Sequence, residues 1–385
     1  MQSKNEQAPT IYSHTGLRGL AAMYVVFVHL LGANEVNSVN SIGSYFLSFG
    51  QYAVDLFFLL SGFILNWVYL QNSTALNWRA YFRARVARIC PLYYLTTLLV
   101  LPLLLYSFAR YGDKHTHLHL NGLIVELVQN LFLVSGIVGG PNSTINEPAW
   151  SISVEFFCYL AVFPLWVVID RAAAGKPFGR LFAVGWVVIL CPCLVASYHT
   201  ANIRILDHHW DGSWLIRGIV GFSIGFWLCS ALRSSKKIAE TVIVINLFVM
   251  SSIVVIGLVV FQIFPKYLIL YCFPSLVFFS AFDRDLVATI LKHSWFQWLG
   301  ERSYSIYLLH MLIVPWSNHL HKYKIFSEPV YFIVALPLLL GLLLLIAELS
   351  YRYFECPMRS AIRRLGQTKF LVTSGGSGQG SLSGQ

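Results

Sequence analysis

Long apolar segments recur along the whole chain and decide what it can fold into. The 385 residues are 57% hydrophobic and 11% charged, whereas soluble domains carry about 25% charged residues. Eleven apolar segments lie at about residues 15–33, 46–69, 89–108, 123–138, 150–169, 181–198, 213–232, 239–263, 267–282, 303–320 and 329–351. A helix of roughly 20 apolar residues spans the hydrocarbon core of a bilayer. The sequence therefore predicts an all-α integral membrane protein.

Positive charges between these segments predict the topology, because Lys and Arg accumulate in cytoplasmic loops. If the short segment at 123–138, which contains Glu126, does not span, 20 of the 27 Lys and Arg residues fall on the cytoplasmic side. If it spans, the loops at Arg171 and Arg233 move outside, against that bias. We therefore predict a bundle of about ten transmembrane helices with cytoplasmic N- and C-termini. The loop 110–149 is then outside, with its apolar part in the interface or re-entering the membrane.

The first apolar segment is expected to belong to the mature protein, whereas the C-terminal tail carries no expected function. The first apolar segment lacks a small-residue cleavage pattern, so we expect it to stay in the mature protein. Residues 1–369 are interpreted as a single membrane domain. Residues 370–385 have the Gly- and Ser-rich composition of a linker and are expected to be disordered.

The cysteines and loop histidines predict no metal site. The seven cysteines lack a Cys-x-x-Cys spacing, so neither a disulfide framework nor zinc binding is predicted. His115, His117 and His119 alternate as ligands on a strand could, but acidic or cysteine partners do not reinforce them. We interpret these three, and the pair His208 and His209, as parts of solvated outer loops. The formal net charge of +10 follows from the topology, and no nucleic-acid partner is expected.

The first apolar segment carries two polar side chains on one helix face. Arg18 and His29 are eleven residues apart, which is close to three helical turns and about 16 Å along the axis. Arg18 is expected near the cytoplasmic surface and His29 in the outer half of the membrane. Neutral imidazole can take a proton from a hydroxyl near neutral pH, so His29 is a candidate general base. A structural histidine hydrogen-bonded inside the bundle is the alternative.

Further ionisable side chains lie within predicted spans, where each is expensive unless a partner or a cavity compensates it. Asp55 and His310 are expected near the middle of the membrane, Glu155 and Arg217 in the outer half, and Glu348 on the inner side. Pairing with Arg217 is the safest interpretation of Glu155; orienting a histidine and binding a sugar hydroxyl are the alternatives. Together these residues predict a polar chamber that is reached from outside.

An arginine-rich run at residues 77–94 predicts an entrance to this chamber from inside. Arg85 and Arg88 are three residues apart and share a helix face. Guanidinium groups match phosphate oxygens, but juxtamembrane arginines also serve as topology signals and lipid contacts. Charge alone leaves both interpretations open. Pro91 is expected to begin the next span, since proline is favoured in the first turn of a helix.

Short motifs are spread from residue 17 to residue 359. They are Leu17-Arg18-Gly19-Leu20-Ala21 with His29, Val54-Asp55-Leu56-Phe57-Phe58-Leu59-Leu60-Ser61-Gly62-Phe63, Arg85 and Arg88 ahead of Pro91 and Tyr93, Trp150-Ser151-Ile152-Ser153-Val154-Glu155, Leu299-Gly300 with Tyr304-Ser305-Ile306-Tyr307-Leu308-Leu309-His310, and Tyr353-Phe354-Glu355 with Pro357. In this order they resemble the membrane acyltransferase family 3, which includes bacterial O-antigen and exopolysaccharide O-acetylases, nodulation-factor acetylases and macrolide acylases.

The resemblance implies transfer of an acyl group, usually acetyl, from cytoplasmic acyl-CoA to a hydroxyl of an acceptor at or beyond the membrane. It implies essential roles for Arg18 and His29, and donor binding by Arg85 and Arg88. Acetyl-CoA, or another acyl-CoA, would be the co-substrate, without a metal. The expected location is the bacterial cytoplasmic (inner) membrane.

Two residues depart from the family pattern. Phe156 follows Glu155 where relatives often carry a second acidic residue, so a role for a second carboxylate is not expected. Cys356 stands where a basic residue is common, and we interpret this difference as neutral. Some relatives carry a further soluble esterase-like domain. Here transfer is expected to be completed inside the membrane domain.

In the expected mechanism, the phosphates of acyl-CoA dock at the inner-loop arginines and the thioester reaches His29. His29, oriented by Glu155 or Asp55, deprotonates the acceptor hydroxyl; a route through an acetyl-histidine is also open. The catalytic candidates are His29, Arg18, Glu155 and Asp55, and the donor-binding candidates are Arg85, Arg88 and Arg18. The acceptor or oxyanion candidates are Ser61, Ser151, Ser153, Arg217, Tyr304 and His310.

A transporter or exporter of a lipid-linked glycan or small molecule is the alternative function. Against it, the sequence has no internal repeat and no paired Gly/Pro-broken spans. A non-catalytic scaffold would leave the alignment of Arg18 and His29 unexplained. The expected partners are acyl-CoA, a glycan or glycolipid acceptor and membrane lipids. The identity of the acceptor, the acyl length and the oligomeric state, a homodimer included, stay open.

Overall fold

The computed structural model describes residues 9–32, 47–71, 76–111, 120–139, 145–174, 176, 178–199, 213–234 and 242–365. Every regular element within these residues is helical. The helices are α1 (Tyr12–Gly32), α2 (Gly50–Leu70), α3 (Trp78–Tyr111), α4 (Leu120–Leu131), α5 (Ala149–Ala173), α6 (Gly179–His199), α7 (Ser213–Ser234), α8 (Val242–Val260), α9 (Leu268–Ser280), α10 (Leu286–Leu291), α11 (Ser294–Leu309), α12 (Val314–Lys322) and α13 (Glu328–Arg364). The prediction of an all-helical chain agrees with this architecture.

Seven described helices are long and apolar enough to cross a membrane: α1, α2, α3, α5, α7, α8 and α13. Each coincides with a predicted span. Among them α7 and α2 are the most buried and α8 is the least, so α2 and α7 form the centre of the bundle. This composition is that of a helical membrane protein. The count of about ten spans and the cytoplasmic position of both termini stay predictions.

The remaining predicted spans are shorter or interrupted. The apolar parts of α6 and α9 cover Leu181–Ser197 and Leu268–Ser280, and α4 has a similarly short apolar part, Gly122–Leu131. The segment predicted at 303–320 is not one continuous helix. α11 ends at Leu309, a single 3₁₀ turn follows, and α12 begins at Val314.

Several predictions concern residues outside the described ranges. They include the interpretation of His115, His117, His119, His208 and His209 as loop residues, and the disordered tail at 370–385. The outer loop 110–149 is described only in part. These predictions stay as stated.

Glycines bring two pairs of helices into backbone contact around the centre. On α1 and α11, a Cβ on Gly19 would lie 2.7 Å from the backbone nitrogen of Gly300. On α2 and α7, a Cβ on Gly62 would overlap the carbonyl oxygen of Phe222, and one on Gly225 would overlap that of Leu59. Small residues at such crossings allow the close packing that holds membrane helices together. These contacts hold α1 against α11 and α2 against α7.

The prediction that Pro91 begins a span is wrong. α3 is a single helix of 34 residues that contains both Pro91 and Pro102. Membrane helices tolerate internal prolines because neighbouring helices and side chains satisfy the backbone groups that proline frees. The consequence for function is direct: Arg85 and Arg88 lie on the same continuous helix as the apolar span, so the bilayer-embedded part of α3 positions them.

Candidate active site

Three cavities lie one after another beside α1. The basic cavity is lined by Arg18, Ser61, Ile64, Leu65, Val68, Tyr69, Arg85, Arg88, Tyr159, Arg359 and Arg363. The central cavity is lined by Arg18, Val54, Phe57, Phe58, Ser61, Arg88, Ile89, Ser151, Ile152, Glu155, Ser303, Tyr304 and Tyr307. The vestibule is lined by Val25, Val28, His29, Leu47, Ser48, Gly50, Gln51, Val54, Glu147, Pro148, Trp150, Trp214 and Tyr307.

Shared lining residues connect the three cavities into a series. Arg18, Ser61 and Arg88 line both the basic and the central cavity. Val54 and Tyr307 line both the central cavity and the vestibule. The two polar residues of the first span thus line opposite ends of the series. Because α1 is one unbroken helix, their expected separation of about 16 Å along its axis holds.

Aromatic rings hold Arg85 in the basic cavity. Its guanidinium carbon lies 5.5 Å from the ring centroids of both Tyr69 and Tyr159 and 5.9 Å from that of Tyr81. Its Nη2 also donates to the Tyr69 hydroxyl at 3.2 Å. Such rings attract a cation and restrict its rotamers. Arg85 is therefore positioned in advance of any ligand.

The other arginines of the basic cavity are less engaged. Arg18 donates from Nη2 to the Ser303 hydroxyl at 3.1 Å. Arg88 has no hydrogen bond or ion pair to another described residue. Arg359 pairs with Glu355 one turn earlier in α13, and Arg363 is exposed at the cavity edge. The structure therefore brings together the three predicted donor-binding residues, Arg18, Arg85 and Arg88.

Glu155 lies in the central cavity but does not pair with Arg217, so that prediction is wrong. Its Oε1 accepts hydrogen bonds from the hydroxyls of Ser61 and Tyr159. Tyr159 is one turn later on α5, in the π-helical turn Cys158–Val162. The carboxylate thus organises hydroxyl groups where the central and basic cavities meet.

The actual partner of Arg217 is Asp55. Arg217 donates from Nη2 to both carboxylate oxygens of Asp55, at 2.9 and 3.0 Å, and from Nε to Oδ1 at 3.2 Å. Both side chains are buried, and the guanidinium also stacks on Trp214 at 4.6 Å from the ring centroid. The pair joins α2 to α7. Asp55 is therefore part of the scaffold, and the expectation that it orients His29 is wrong.

His29 faces the vestibule with a carboxylate that the sequence did not indicate. Its Nδ1 lies 2.9 Å from the carbonyl oxygen of Val25, which can only accept, so Nδ1 carries a proton. Nε2 lies 3.8 Å from Oε1 of Glu147, and the two side chains are 30% and 49% exposed. Glu147, rather than Glu155, is thus the acidic neighbour of His29. Nε2 is the nitrogen that can accept a proton from a group in the vestibule.

His310 lies beside His29 rather than in a cavity wall. The two ring centroids are 4.9 Å apart. His310 is fully buried, its Nδ1 donates to the Tyr307 carbonyl oxygen at 2.6 Å, and its Nε2 has no partner among the described residues. It packs against the ring of His29 from the 3₁₀ turn that follows α11.

Four predicted oxyanion donors already donate elsewhere. Ser61 donates to Glu155, Ser151 to the Pro148 carbonyl at 3.0 Å, Ser153 to the Trp150 carbonyl at 2.7 Å and Tyr304 to the Ile89 carbonyl at 2.7 Å. Ser153 also lies outside the residues that line the three cavities. Tyr307 was missed: its hydroxyl lies 2.7 Å from that of Ser151, and its ring separates the central cavity from the vestibule.

The described residues contain no group of three or more His, Cys, Asp or Glu side chains arranged to hold a metal ion. A family model described as "Acyltransferase domain" matches residues 11–348. The chain belongs to this acyltransferase family. Both ends of the series of cavities, apart from Arg359 and Arg363, fall inside the matched region.

Curated relatives carry acyltransferase names. Acyltransferase MdmB of Streptomyces mycarofaciens is 29% identical over 80% of this chain and 80% of its own length. YrhL of Bacillus subtilis (strain 168), named provisionally as a peptidoglycan O-acetyltransferase, is 23% identical over 94% of this chain and 56% of its own. O-acetyltransferase OatA of Staphylococcus aureus (strain NCTC 8325 / PS 47) is 24% identical over 89% of this chain. This chain spans just over half the length of YrhL and OatA. No solved structure matches.

In this acyltransferase, sequence reasoning missed Glu147, Tyr307, Arg359 and Arg363. Glu147 was assigned to an outer loop, where acidic residues are ordinary, although it stands two residues before a span. Tyr307 is one of many aromatic residues in apolar helices. Arg359 and Arg363 are four residues apart and share a face of α13, which was the one signal that could have separated them from ordinary topology arginines.

Proposed function

We propose that the chain is a membrane O-acyltransferase that moves an acyl group from cytoplasmic acyl-CoA to a hydroxyl of a glycan or glycolipid acceptor on the other side of the membrane. Acetyl is the expected acyl group. One observation carries the proposal: three cavities in series run along α1, with arginines at one end and the His29–Glu147 pair at the other. The family relationship supports acyl transfer in general.

The basic cavity suits the donor. CoA carries a diphosphate and a phosphate monoester, and guanidinium groups bind phosphate with charge-assisted hydrogen bonds. Arg85, held by aromatic rings, and Arg88, without a described partner, are the proposed phosphate ligands. The pantetheine arm then extends past Arg18 into the central cavity, so that the thioester approaches the vestibule at Tyr307.

The vestibule suits an acceptor hydroxyl. Trp150 and Trp214 lie with ring centroids 4.8 Å apart and offer apolar surface. Gln51, Ser48 and Glu147 add hydrogen-bonding groups to the same wall. A few placed polar groups on an aromatic wall are typical of small-molecule and sugar sites. This combination supports a glycan or glycolipid acceptor.

His29 performs the proton transfer in the proposed reaction. Its Nε2 takes the proton of the acceptor hydroxyl while that oxygen attacks the thioester carbonyl. The carbon–sulfur bond then breaks, and the CoA thiolate takes the proton back from the imidazolium to leave as the free thiol. Glu147, 3.8 Å from Nε2, stabilises the imidazolium while it exists. The net result is one ester formed and one thioester cleaved.

The test supplies [¹⁴C]acetyl-CoA to the cytoplasmic side of membrane vesicles that contain the protein and its host glycolipids. We expect label in the glycan and glycolipid fraction. His29→Ala should lower this incorporation by roughly 10²- to 10⁴-fold, the usual contribution of a general base. His319→Ala is the matched control, because His319 is an exposed histidine that lines none of the three cavities.

Two results would contradict the proposal. Full incorporation of label by His29→Ala would show that His29 is not the general base. Movement of an unmodified glycolipid across the membrane, with no labelled product and no loss of acetyl-CoA, would identify a transporter instead.

A further inference from the structure

The C-terminal end of α13 faces the basic cavity, and the function proposed above does not use it. Arg359 and Arg363 of this helix line the cavity together with Arg85 and Arg88 of α3. The two helices pack together here, and Arg83 of α3 donates to the carbonyl oxygen of Arg363 at 3.5 Å. The cavity is thus walled by arginines from two parts of the chain that are far apart in sequence.

Positive charge in this cavity is not balanced by its own walls. Its lining contains five arginines and no acidic residue within the described part of the chain. Arg88 lies close enough to both Arg18 and Arg359 for electrostatic repulsion. Like charges held together away from water are costly unless a counter-charge arrives. Of the nearest carboxylates, Glu355 pairs with Arg359 and also accepts a hydrogen bond from Ser305, and Glu155 accepts hydrogen bonds from Ser61 and Tyr159. The other four arginines of the cavity have no ion pair with a described carboxylate.

Unused donors on both walls also indicate a missing anion. Nε of Arg85 and Nε of Arg359 are buried and have no hydrogen-bond partner among the described residues. Arg88 likewise has no described hydrogen bond or ion pair. Buried donors without partners are rare in folded proteins, and a ligand is one of their ordinary explanations. These donors sit on α3 and α13, and both helices line the same cavity.

We propose that Arg359 and Arg363 form a second phosphate subsite, which binds the nucleotide portion of acyl-CoA while Arg85 and Arg88 bind it from the side of α3. This inference rests on the proposed function. Because CoA carries phosphate groups at two places on its nucleotide, cations on two sides can bind both at once. The end of α13 therefore distinguishes acyl-CoA from acyl thioesters that lack a nucleotide.

The test compares two donors with the purified full-length protein in phosphatidylcholine nanodiscs that are supplied with the host glycolipid fraction as acceptor. Arg363→Gln should raise KM for acetyl-CoA by about tenfold and leave kcat unchanged, since a lost charge-assisted hydrogen bond weakens binding only. KM for S-acetyl-pantetheine, which has no phosphate, should not change. Arg359→Lys keeps a charge beside Glu355 and should raise KM for acetyl-CoA severalfold, because lysine lacks the planar fork. Arg364→Gln, an exposed arginine that does not line the cavity, is the matched control.

A binding measurement separates this inference from the proposed function. CoA alone should raise the melting temperature of the wild-type protein, less so in Arg363→Gln and equally in Arg364→Gln. If CoA stabilises the protein but no acetyl transfer occurs, the subsite stands and the proposed function fails. The subsite is overturned if CoA does not stabilise the wild type, or if Arg363→Gln matches it with acetyl-CoA. It is also overturned if phosphatidylglycerol, rather than CoA, gives the Arg363-dependent stabilisation.

Discussion

The two ends of the cavity series use opposite physical means. The basic cavity gathers five guanidinium groups, of which Arg85 is positioned by Tyr69 and Tyr159, and Nε of Arg85 and of Arg359 have no partner among the described residues. The vestibule holds a half-exposed pair, His29 and Glu147, in a larger space lined by aromatic and apolar side chains. One end is therefore suited to bind a fixed, highly charged ligand. The other is suited to admit varied ligands and to move a proton.

This difference between the two ends predicts that the basic cavity determines donor specificity and the vestibule acceptor specificity. Phosphate recognition requires fixed donors, because each bond depends on direction and charge. An acceptor that differs between relatives needs only shape, apolar contact and one correctly placed base. Variation among such proteins is therefore expected at the vestibule, while the arginine end is expected to keep its chemistry.

The largest expected effect is on stability and concerns the buried Asp55–Arg217 pair, which belongs to the scaffold rather than to either end of the cavity series. Asp55→Asn leaves the Arg217 guanidinium buried without its counter-charge and should cost about 3–5 kcal/mol of unfolding free energy. Unfolding of the purified protein in detergent measures this. The double variant Asp55→Asn/Arg217→Gln should lose less than the sum of the single variants. A fully stable Asp55→Asn that lacks turnover would return Asp55 to the catalytic group.

The next prediction concerns the basic cavity. Arg88→Gln should raise KM for acetyl-CoA by about 10- to 100-fold with little change in kcat, since hydrogen bonds to charged groups contribute roughly 1.5–3 kcal/mol. Arg79→Gln, on the exposed start of the same helix, is the control and should behave as wild type. An unchanged KM together with a reduced kcat would move Arg88 from binding to chemistry.

A smaller effect is expected in the vestibule. Glu147→Gln should lower kcat by about tenfold and leave KM for acetyl-CoA unchanged, because the carboxylate stabilises only the imidazolium formed during transfer. Glu147→Asp should recover part of the rate. A rise in KM for acetyl-CoA with Glu147→Gln would show that Glu147 contributes to donor binding. The basic cavity and the vestibule would then form one binding site, and the contrast between them would fail.

The smallest effect is expected at the boundary between the cavities. Tyr307→Phe keeps the separating ring and removes one hydrogen bond to Ser151, so about 1 kcal/mol of stability and little activity should be lost. Thermal unfolding and turnover are measured together. A loss of roughly 10²-fold or more in kcat would instead assign the Tyr307 hydroxyl to the oxyanion.

Much of the helical architecture was predictable, because bilayer-spanning segments are recognised by their length and apolar composition. All seven candidate spans coincide with predicted ones. The break after Leu309 and the continuation of α3 through Pro91 were not predicted. Both depend on which neighbouring helices supply hydrogen bonds and packing, and hydropathy does not encode that.

The candidate site likewise has features that the sequence predicted and features that it did not. Local spacing placed Arg18 and His29 on one helix face and Arg85 and Arg88 on another, because helical periodicity alone sets which residues share a face. The proposed roles of these residues came from the resemblance to the family. Pairings between helices could not be predicted: Glu155 or Asp55 was expected to orient His29, whereas Asp55 pairs with Arg217 and Glu147 is the carboxylate beside His29.

By itself, then, the sequence determined that α1 carries an arginine and a histidine along one face of a membrane helix, about 16 Å apart. It also determined that arginines accumulate just before the apolar segment at about residues 89–108. Only the tertiary structure decided which carboxylate meets His29, that Arg359 and Arg363 join the basic cavity, and that Tyr307 stands between the two ends. The physical reason is that helix periodicity is local, whereas the partner of a buried charge depends on how distant helices cross.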